Sequence, residues 1–172
     1  MKFMKIQNSF ATLNDYERIK RFFMLIDNEF FPKLSERKYG ESLDSLLKKS
    51  LSKGHIGISE IAGNIVAACA YWIEQDEIVI NATGVSKQFR GTPILHNLST
   101  YMLEKEKEKP IKKVKTKTWS SNIKAQRILK KIGFRKIEII KEDLHKNRIT
   151  EIYEIDFDLL KSHFNIPNHN YS

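Results

Sequence analysis

Residues 85–94, with the sequence VSKQFRGTPI, combine residue types that suit the binding of an anion. The segment follows a predicted strand and opens a predicted helix. Backbone N–H groups of such a turn are free to bind a ligand, and the helix start adds the positive end of its dipole. Gly91 permits close approach of the backbone, and Arg90 or Lys87 can add positive charge. The segment therefore predicts a site for phosphate or another anion.

A second segment, residues 122–134, has the sequence NIKAQRILKKIGF and follows the first by one predicted helix and one predicted strand. Asn122 suits the N-cap of a helix, and Gly133 suits the position just after a helix end. Phe134 then begins a strand of the predicted core. The order and separation of the two segments carry more information than either segment alone.

Together these segments resemble the acyl-CoA-binding half of the GNAT superfamily of N-acyltransferases. Gln88 and Gly91 match the first two defined positions of the signature Q/R-x-x-G-x-G/A. Pro93 stands where that signature has Gly or Ala, and Leu95 where many members carry another glycine. The stretch N-x-x-A-x-x-L-Y-x-K-x-G-F is matched by Asn122, Ala125, Lys131, Gly133 and Phe134, with Ile128 in place of Leu.

The resemblance implies a mixed α/β fold. Its central, mostly antiparallel sheet would splay between a fourth strand ending at Val85 and a fifth ending at Trp119, with about four flanking helices. It also implies that acetyl-CoA is the acyl donor, with its pyrophosphate on the loop and its pantetheine arm along residues 83–85. Gly84 would favour a bulge there, and an N–H near Val85 would stabilise the oxyanion. The implied cofactor-binding residues are Thr83, Val85, Ser86, Gln88, Phe89, Arg90, Gly91, Thr92, Pro93, Asn122, Gln126 and Lys131.

The groups that transfer protons are less evident. The amine must lose a proton before attack, and many members supply an acid for the thiolate as a Tyr at the position of Leu129, which cannot donate. The thiolate can leave unprotonated, or Ser120 or a water can assist. Glu77 and Glu74 are the candidate bases, with ordinary strand-end carboxylates as the alternative reading. His96 reads as a surface residue, and no His, Cys and Asp cluster has metal-ligand spacing, so no metal is expected.

Hydrophobic periodicity predicts alternating strands and helices without an internal repeat. Strands are expected over residues 4–9, 55–61, 65–74, 77–85, 112–119, 134–141 and 149–157. Helices are expected from residue 14 onward and over residues 39–52, 92–107 and 121–132. Hairpins followed by βαβ units indicate a mixed sheet, in one domain over residues 1–164 with a frayed tail over 165–172.

Local signals refine three of these helices. Asn14 and Glu17 read as a capping box at the first helix. Thr92 suits the N-cap of the third helix, and Pro93 suits its first turn. In the fourth helix the apolar positions predicted to face inward are Ala125, Ile128, Leu129 and Ile132.

Composition limits the class of protein. The chain has 172 residues, 41% of them apolar, which is enough for a substantial core. The net charge of +9 indicates an anionic partner without choosing one, and the lysine-rich run at residues 105–117 reads as a solvated surface. The lone Cys69 lies in an apolar run and reads as a core residue, which favours a reducing cytoplasm. No apolar run suits a membrane span or a secretion signal, so no membrane partner is expected.

Three functions are compatible with these features. The first is an N-acetyltransferase that moves an acetyl group from acetyl-CoA to a primary amine of a protein or of a small molecule. Among small molecules, residues 118–122 resemble members that acetylate amino sugars. The second is a catalytically weak GNAT-fold module that binds or senses acyl-CoA, which Pro93, Leu95 and Leu129 favour. The third, a nucleic-acid-binding domain, rests on net charge alone and is not expected. A homodimer is a possible assembly, since dimers are common in the family.

Overall fold

The computed structural model describes residues 5–141 and 148–167 of the chain. Seven strands and five α-helices lie in these ranges. In chain order they are β1 (Ile6–Phe10), α1 (Tyr16–Leu25), α2 (Leu43–Lys53), β2 (Gly54–Ile61), β3 (Asn64–Glu74), β4 (Glu77–Val85), α3 (Ile94–Glu106), β5 (Lys113–Trp119), α4 (Ile123–Ile132), β6 (Arg135–Ile140), β7 (Thr150–Asp156) and α5 (Phe157–His163).

The strands form one sheet in the hydrogen-bonded order β1-β2-β3-β4-β5-β7-β6. Strand β2 pairs antiparallel with β1 and with β3, and β7 pairs antiparallel with β5 and with β6. Strands β4 and β5 instead pair in parallel, and α3 forms the crossover that a parallel connection needs. The prediction of a mixed α/β fold with a mostly antiparallel sheet is therefore confirmed.

Strand β4 has its predicted bounds, and each other strand differs from its prediction by at most two residues at either end. The second helix begins at Leu43 rather than at residue 39, because a separate 3-10 turn, Tyr39–Glu41, precedes it. Helix α5 was not predicted. Its seven residues make about two turns, which is too short for a periodic pattern to identify a helix.

A capping box lies two residues earlier than predicted, at the 3-10 turn Leu13–Asp15 that leads into α1. The Asp15 carboxylate accepts hydrogen bonds from the Thr12 N–H at 2.9 Å and from the Thr12 hydroxyl at 3.0 Å. The backbone bond is the main reason that the pKa of Asp15 lies below its ordinary value. The predicted pair of Asn14 and Glu17 is therefore wrong, since the chain already turns into a helical conformation after the extended Thr12.

The chain forms two compact units, one comprising Met1–Trp72 and Asn81–Met102, the other Ile73–Ile80 and Leu103–Ser172. In the first unit α1 contacts α2, and α2 contacts β2. Its core includes the buried side chains of Ile19, Phe22, Phe23, Leu46, Leu47, Ile56, Ile58 and Leu98. In the second unit the buried apolar side chains include Val114, Tyr153, Ile155, Phe157 and Leu160. The expectation of a single domain over residues 1–164 stays a prediction.

Helix α4 is less buried than its pattern predicted. It has no buried side chain within the described residues, and Ile128 is 50% exposed. The expectation that Ile128 faces inward is therefore wrong. The periodicity correctly identified an amphipathic helix, but it carries no information on how completely neighbouring elements cover the apolar side.

Most lysines in the run at residues 105–117 form ion pairs. The pairs join Lys107 to Glu104, Lys109 to Glu106, Lys112 to Asp76, Lys113 to Glu154 and Lys115 to Glu77, at N···O distances of 2.6–2.9 Å. Local carboxylates thus offset much of the charge in this run. The run is better explained as a solvated surface than as a nucleic-acid contact. Among the described helices, none is long and apolar enough to span a bilayer.

The second unit contains a buried carboxylate with two partners. The Tyr153 hydroxyl donates to Glu151 at 2.7 Å, and the Lys136 ammonium lies 3.1 Å from the same carboxylate. The tyrosine bond is the largest cause that holds the pKa of Glu151 below its ordinary value. Burial, followed by the bond to Glu151, raises the pKa of Tyr153 to about 12.

We expect Glu151→Gln to destabilise the protein by about 2 kcal/mol at pH 7, because a charged partner is removed from a buried hydrogen-bonded group. A lowered folded pKa means that ionised Glu151 adds stability above the ordinary pKa of 4.5, and that this stability is lost as the pH falls through the folded value. The difference between mutant and wild type should therefore shrink toward pH 3 in urea titrations. Glu138→Gln, on the exposed strand β6, is the control. A difference that does not change with pH would contradict this account.

Candidate functional site

The loop between β4 and α3 is fixed at its start by the sheet. The Ser86 N–H donates to the Val66 carbonyl at 2.8 Å, and a 3-10 turn over Lys87–Phe89 follows. The Phe89 N–H closes this turn on the Ser86 carbonyl at 2.9 Å. Gly91 then has φ +76°, a left-handed conformation that favours glycine, and the space where its Cβ would lie is empty. The chain therefore reverses direction within a few residues.

This tight path leaves backbone donors available. Within the described residues, the N–H groups of Lys87, Gln88 and Gly91 make no hydrogen bond. An open surface depression of about 670 Å³ has Ser86, Lys87 and Gln88 in its lining. Free amides that precede a helix are an arrangement that binds phosphate groups. The loop thus has free donors for the anion expected from the sequence, and the site itself stays a prediction.

Helix α3 begins differently from the prediction. Its first acceptor is the Pro93 carbonyl, which receives the Asn97 N–H at 2.8 Å, so Pro93 occupies the N-cap position. The Thr92 hydroxyl instead donates back to the Phe89 carbonyl at 2.6 Å. The prediction of Thr92 as the N-cap is therefore wrong, because its side chain stabilises the preceding turn. Pro93 has no N–H, so the helix start offers one donor fewer.

Arg90 is held on both sides of its guanidinium. Its Nε donates to the Val85 carbonyl at 3.4 Å, and its Nη2 lies 3.1 Å from Oε1 of Glu29. Lys87 is exposed and makes no ion pair with any described residue. The two cations of the loop therefore differ, since Arg90 is already paired and Lys87 is available to a ligand.

The last residues of β4 pack closely against α1. A Cβ on Gly84 would lie 2.1 Å from the Ile26 Cδ1 atom, so close approach of Ile26 explains the glycine. The predicted bulge at this position stays untested. The Thr83 hydroxyl donates to the Cys69 sulfur at 3.3 Å. Burial raises the pKa of the Cys69 thiol to about 11, which agrees with its interpretation as a core residue rather than a nucleophile.

The second predicted segment forms a capped helix. The Asn122 side-chain oxygen accepts the Ala125 N–H at 3.2 Å, and Gln126 donates to the Ser120 carbonyl at 2.7 Å. Gly133 ends the helix with φ +112°, and its N–H reaches the Leu129 carbonyl at 3.1 Å. The capping predictions for Asn122 and Gly133 are confirmed, and Phe134 is buried. Lys131 is exposed on α4.

The two candidate bases lie around the β3–β4 turn. Glu77 opens β4, and Glu74 ends β3. The Glu77 carboxylate lies 2.7 Å from the Lys115 ammonium, and this contact is the main cause that raises the pKa of Lys115. Glu74 is exposed and precedes the β3–β4 turn. The role of Glu77 or Glu74 as the base stays a prediction.

One carboxylate near the loop has no recognisable signal in the sequence. Glu29 follows α1 and belongs to no motif, so only the folded chain reveals its contact with Arg90. Within the described residues no group of three His, Cys, Asp or Glu side chains is arranged to hold a metal ion. The candidate site therefore consists of backbone donors, two cations and one nearby carboxylate.

No protein-family model matches the sequence, and a comparison with curated proteins also finds no match. Solved structures do match. A GNAT-family acetyltransferase from Bacillus cereus has a TM-score of 0.65 and 19% identity, with 88% of this chain and 97% of that chain covered. The ribosomal-protein-S18-alanine N-acetyltransferase from Escherichia coli has a TM-score of 0.70 and 11% identity, with 89% and 94% covered.

A third match is a protein of Arabidopsis thaliana in complex with the bisubstrate analogue CoA-Ac-MVNAL. Its TM-score is 0.67 and its identity 18%, with 87% of this chain and 97% of that chain covered. The chain has the GNAT acetyltransferase fold. In this GNAT fold the β4–α3 loop lies on the connection that joins the parallel strands β4 and β5 through α3, as the resemblance implied.

We expect Gly91→Glu to weaken acetyl-CoA binding at least about tenfold, because it puts a negative side chain among the amides that would bind phosphate. Isothermal titration of acetyl-CoA measures the effect. Gly63→Glu is a matched control, since Gly63 has φ +77° and also lacks neighbours around its Cβ. Both variants should lose a similar ~1–2 kcal/mol of stability from the left-handed backbone. Equal acetyl-CoA affinity in the two folded variants would show that the loop has been misassigned.

Proposed function

We propose that the protein is an N-acetyltransferase that transfers the acetyl group of acetyl-CoA to a primary amine. The observation that carries the proposal is the β4–α3 loop, where three unbonded N–H groups and the left-handed Gly91 precede a helix in a GNAT fold. A pyrophosphate supplies the acceptor oxygens that such amides require. The exposed Lys87 adds a positive charge.

The proposed reaction is direct attack of the amine on the thioester carbonyl carbon. A carbon–nitrogen bond forms, the carbon–sulfur bond breaks, and CoA leaves as a thiolate. The oxyanion of the tetrahedral intermediate would be stabilised by the backbone N–H of Val85. The pantetheine arm is proposed to lie along residues 83–85. Its amides would then compete with Arg90 for the Val85 carbonyl.

Further residues are proposed to contact acetyl-CoA. They are Thr83 near the end of β4, then Ser86, Gln88, Phe89, Thr92 and Pro93 on the loop, and Asn122, Gln126 and Lys131 on the second segment. For Asn122 the proposed contact is made by the amide nitrogen, since its oxygen caps α4. The Ser120 hydroxyl is a proposed proton donor to the thiolate. No acid can come from Leu129.

A GNAT-fold module that binds acyl-CoA without efficient catalysis is the second candidate. Pro93 removes one N–H from the helix start, and Leu129 provides no acid. Pro93 therefore weakens binding and Leu129 weakens catalysis, but the three free amides of the loop remain. The two candidates therefore agree on acetyl-CoA binding and differ in turnover.

The acceptor is proposed to be an amine of a protein or of a small metabolite. One structural relative is named for acetylation of an alanine of ribosomal protein S18, and another holds an analogue in which CoA is joined to the sequence MVNAL. These names make peptide amines worth testing beside amino sugars. We propose a reducing cytoplasm as the compartment, because the lone Cys69 is free and buried.

We expect purified protein to bind acetyl-CoA and to release free thiol with at least one amine of a panel. The panel contains glucosamine, an aminoglycoside, a lysine peptide and peptides with free N-terminal Ala or Met. Calorimetry measures binding, and a thiol-reactive dye measures turnover. Gly91→Glu should lose both signals, whereas Gly63→Glu should retain them.

The outcomes separate the candidates. Absence of binding at millimolar acetyl-CoA would overturn both the enzyme and the acyl-CoA-binding module. Binding without thiol release on any amine of the panel would favour the binding module. Equal thiol release from wild type and from folded Gly91→Glu would contradict the role of the loop.

A further inference from the structure

Glu29 lies on a segment whose shape is fixed by a buried carboxylate. Asp27, only 8% exposed, accepts hydrogen bonds from the Ser35 N–H at 3.0 Å and from the Ser35 hydroxyl. The Glu29 N–H donates to the Ile26 carbonyl at 2.9 Å within the turn that ends α1. Ile26 in turn occupies the space above Gly84. These contacts hold the Glu29 backbone close to the end of β4.

The side chain of Glu29 is half exposed and, among the described residues, forms an ion pair with one cation. Its Oε1 lies 3.1 Å from Nη2 of Arg90, whose Nε donates to the Val85 carbonyl at 3.4 Å. Because both contacts are made by one rigid guanidinium, the Glu29 carboxylate lies at most about 9 Å from the Val85 carbonyl oxygen. Glu29 is therefore close to the proposed reaction centre.

We infer that Glu29 is the carboxylate that binds the ammonium group of the acceptor, and that Arg90 blocks it until the phosphates of acetyl-CoA draw Arg90 away. This inference rests on the proposed function. In the free protein Arg90 and the acceptor ammonium are alternative partners of the same carboxylate. In the acetyl-CoA complex Arg90 binds phosphate, and Glu29 becomes available.

The energies permit this exchange. An exposed ion pair such as Arg90–Glu29 contributes little free energy. A guanidinium bound to phosphate by two charge-assisted hydrogen bonds is a stronger contact. The pantetheine arm would also compete for the Val85 carbonyl that Arg90 now occupies. Binding of acetyl-CoA therefore displaces both current partners of Arg90, and acetyl-CoA should bind before the amine.

The chemistry balances without another reactant. The acceptor arrives as an ammonium ion held by Glu29 and loses one proton, through this carboxylate, to solvent. The resulting amine attacks the thioester carbon, and the carbon–sulfur bond breaks as the intermediate collapses. The nitrogen loses its second proton, and the CoA thiolate takes up one. The net products are the acetamide, CoA thiol and one released proton.

Acetyl-CoA titration tests the exchange without any acceptor. Because Glu29 competes with phosphate for Arg90, Glu29→Gln and Glu29→Ala should bind acetyl-CoA about twofold to fivefold more tightly than wild type. Glu36→Gln, an exposed carboxylate of the same connection, is the matched control and should bind like wild type. Unchanged or weaker affinity in both Glu29 variants would overturn the exchange. A wild type that does not bind acetyl-CoA would instead defeat the proposed function, and this inference with it.

Steady-state kinetics test the ammonium site, with the amine of the panel that wild type acetylates fastest. At saturating acetyl-CoA, Glu29→Gln should raise the KM for this amine at least about tenfold, while the KM for acetyl-CoA does not rise. Glu29→Asp should recover part of the loss, and Glu36→Gln should show none. An unchanged amine KM in Glu29→Gln would overturn the assignment, even though wild-type turnover upholds the proposed function.

Discussion

The absence of a side chain at Gly84 allows the end of α1 to approach the end of β4. Ile26 fills the space that a Cβ would need, with its Cδ1 2.1 Å from the ideal position. This close packing has consequences beyond the core. The turn after Ile26 carries Glu29 to Arg90, and the bonds from Ser35 to the buried Asp27 hold the following segment in shape. The connection after α1 and the loop after β4 are thereby parts of one packed structure.

The loop itself depends on backbone geometry more than on side-chain identity. Ser86 is tied to β3, the 3-10 turn satisfies the Phe89 N–H, and Gly91 takes the left-handed conformation. What remains is a set of amides with no partner in the described chain, and these suit an anion whatever side chains surround them. Pro93 has no N–H, so the helix start has one donor fewer. Binding of a phosphate would therefore depend more on the charges of Lys87 and Arg90.

Much of the fold follows from local sequence, because strand alternation, turn residues and helix caps act over a few neighbours. The bounds of β4 and the caps Asn122 and Gly133 were predictable for this reason. Helix α5 was too short to show a period, and the exposure of Ile128 depends on neighbouring elements. Glu29 belongs to no motif, since its contact with Arg90 joins positions 61 residues apart. The roles of Glu77 and Glu74 as bases stay predictions, because strand-end carboxylates cannot be ranked from the sequence.

Charge explains why an amine acceptor needs a carboxylate at this place. The loop is cationic when empty, since Lys87 is unpaired within the described residues, and an ammonium ion would be repelled from it. In the proposed complex, CoA phosphates would reverse the local sign. At the same step they would provide a better partner for Arg90 than Glu29 does. A carboxylate that is neutralised before cofactor binding and exposed after it therefore makes attraction of the amine conditional on the acyl donor. The packing at Gly84 places Glu29 where this condition can operate.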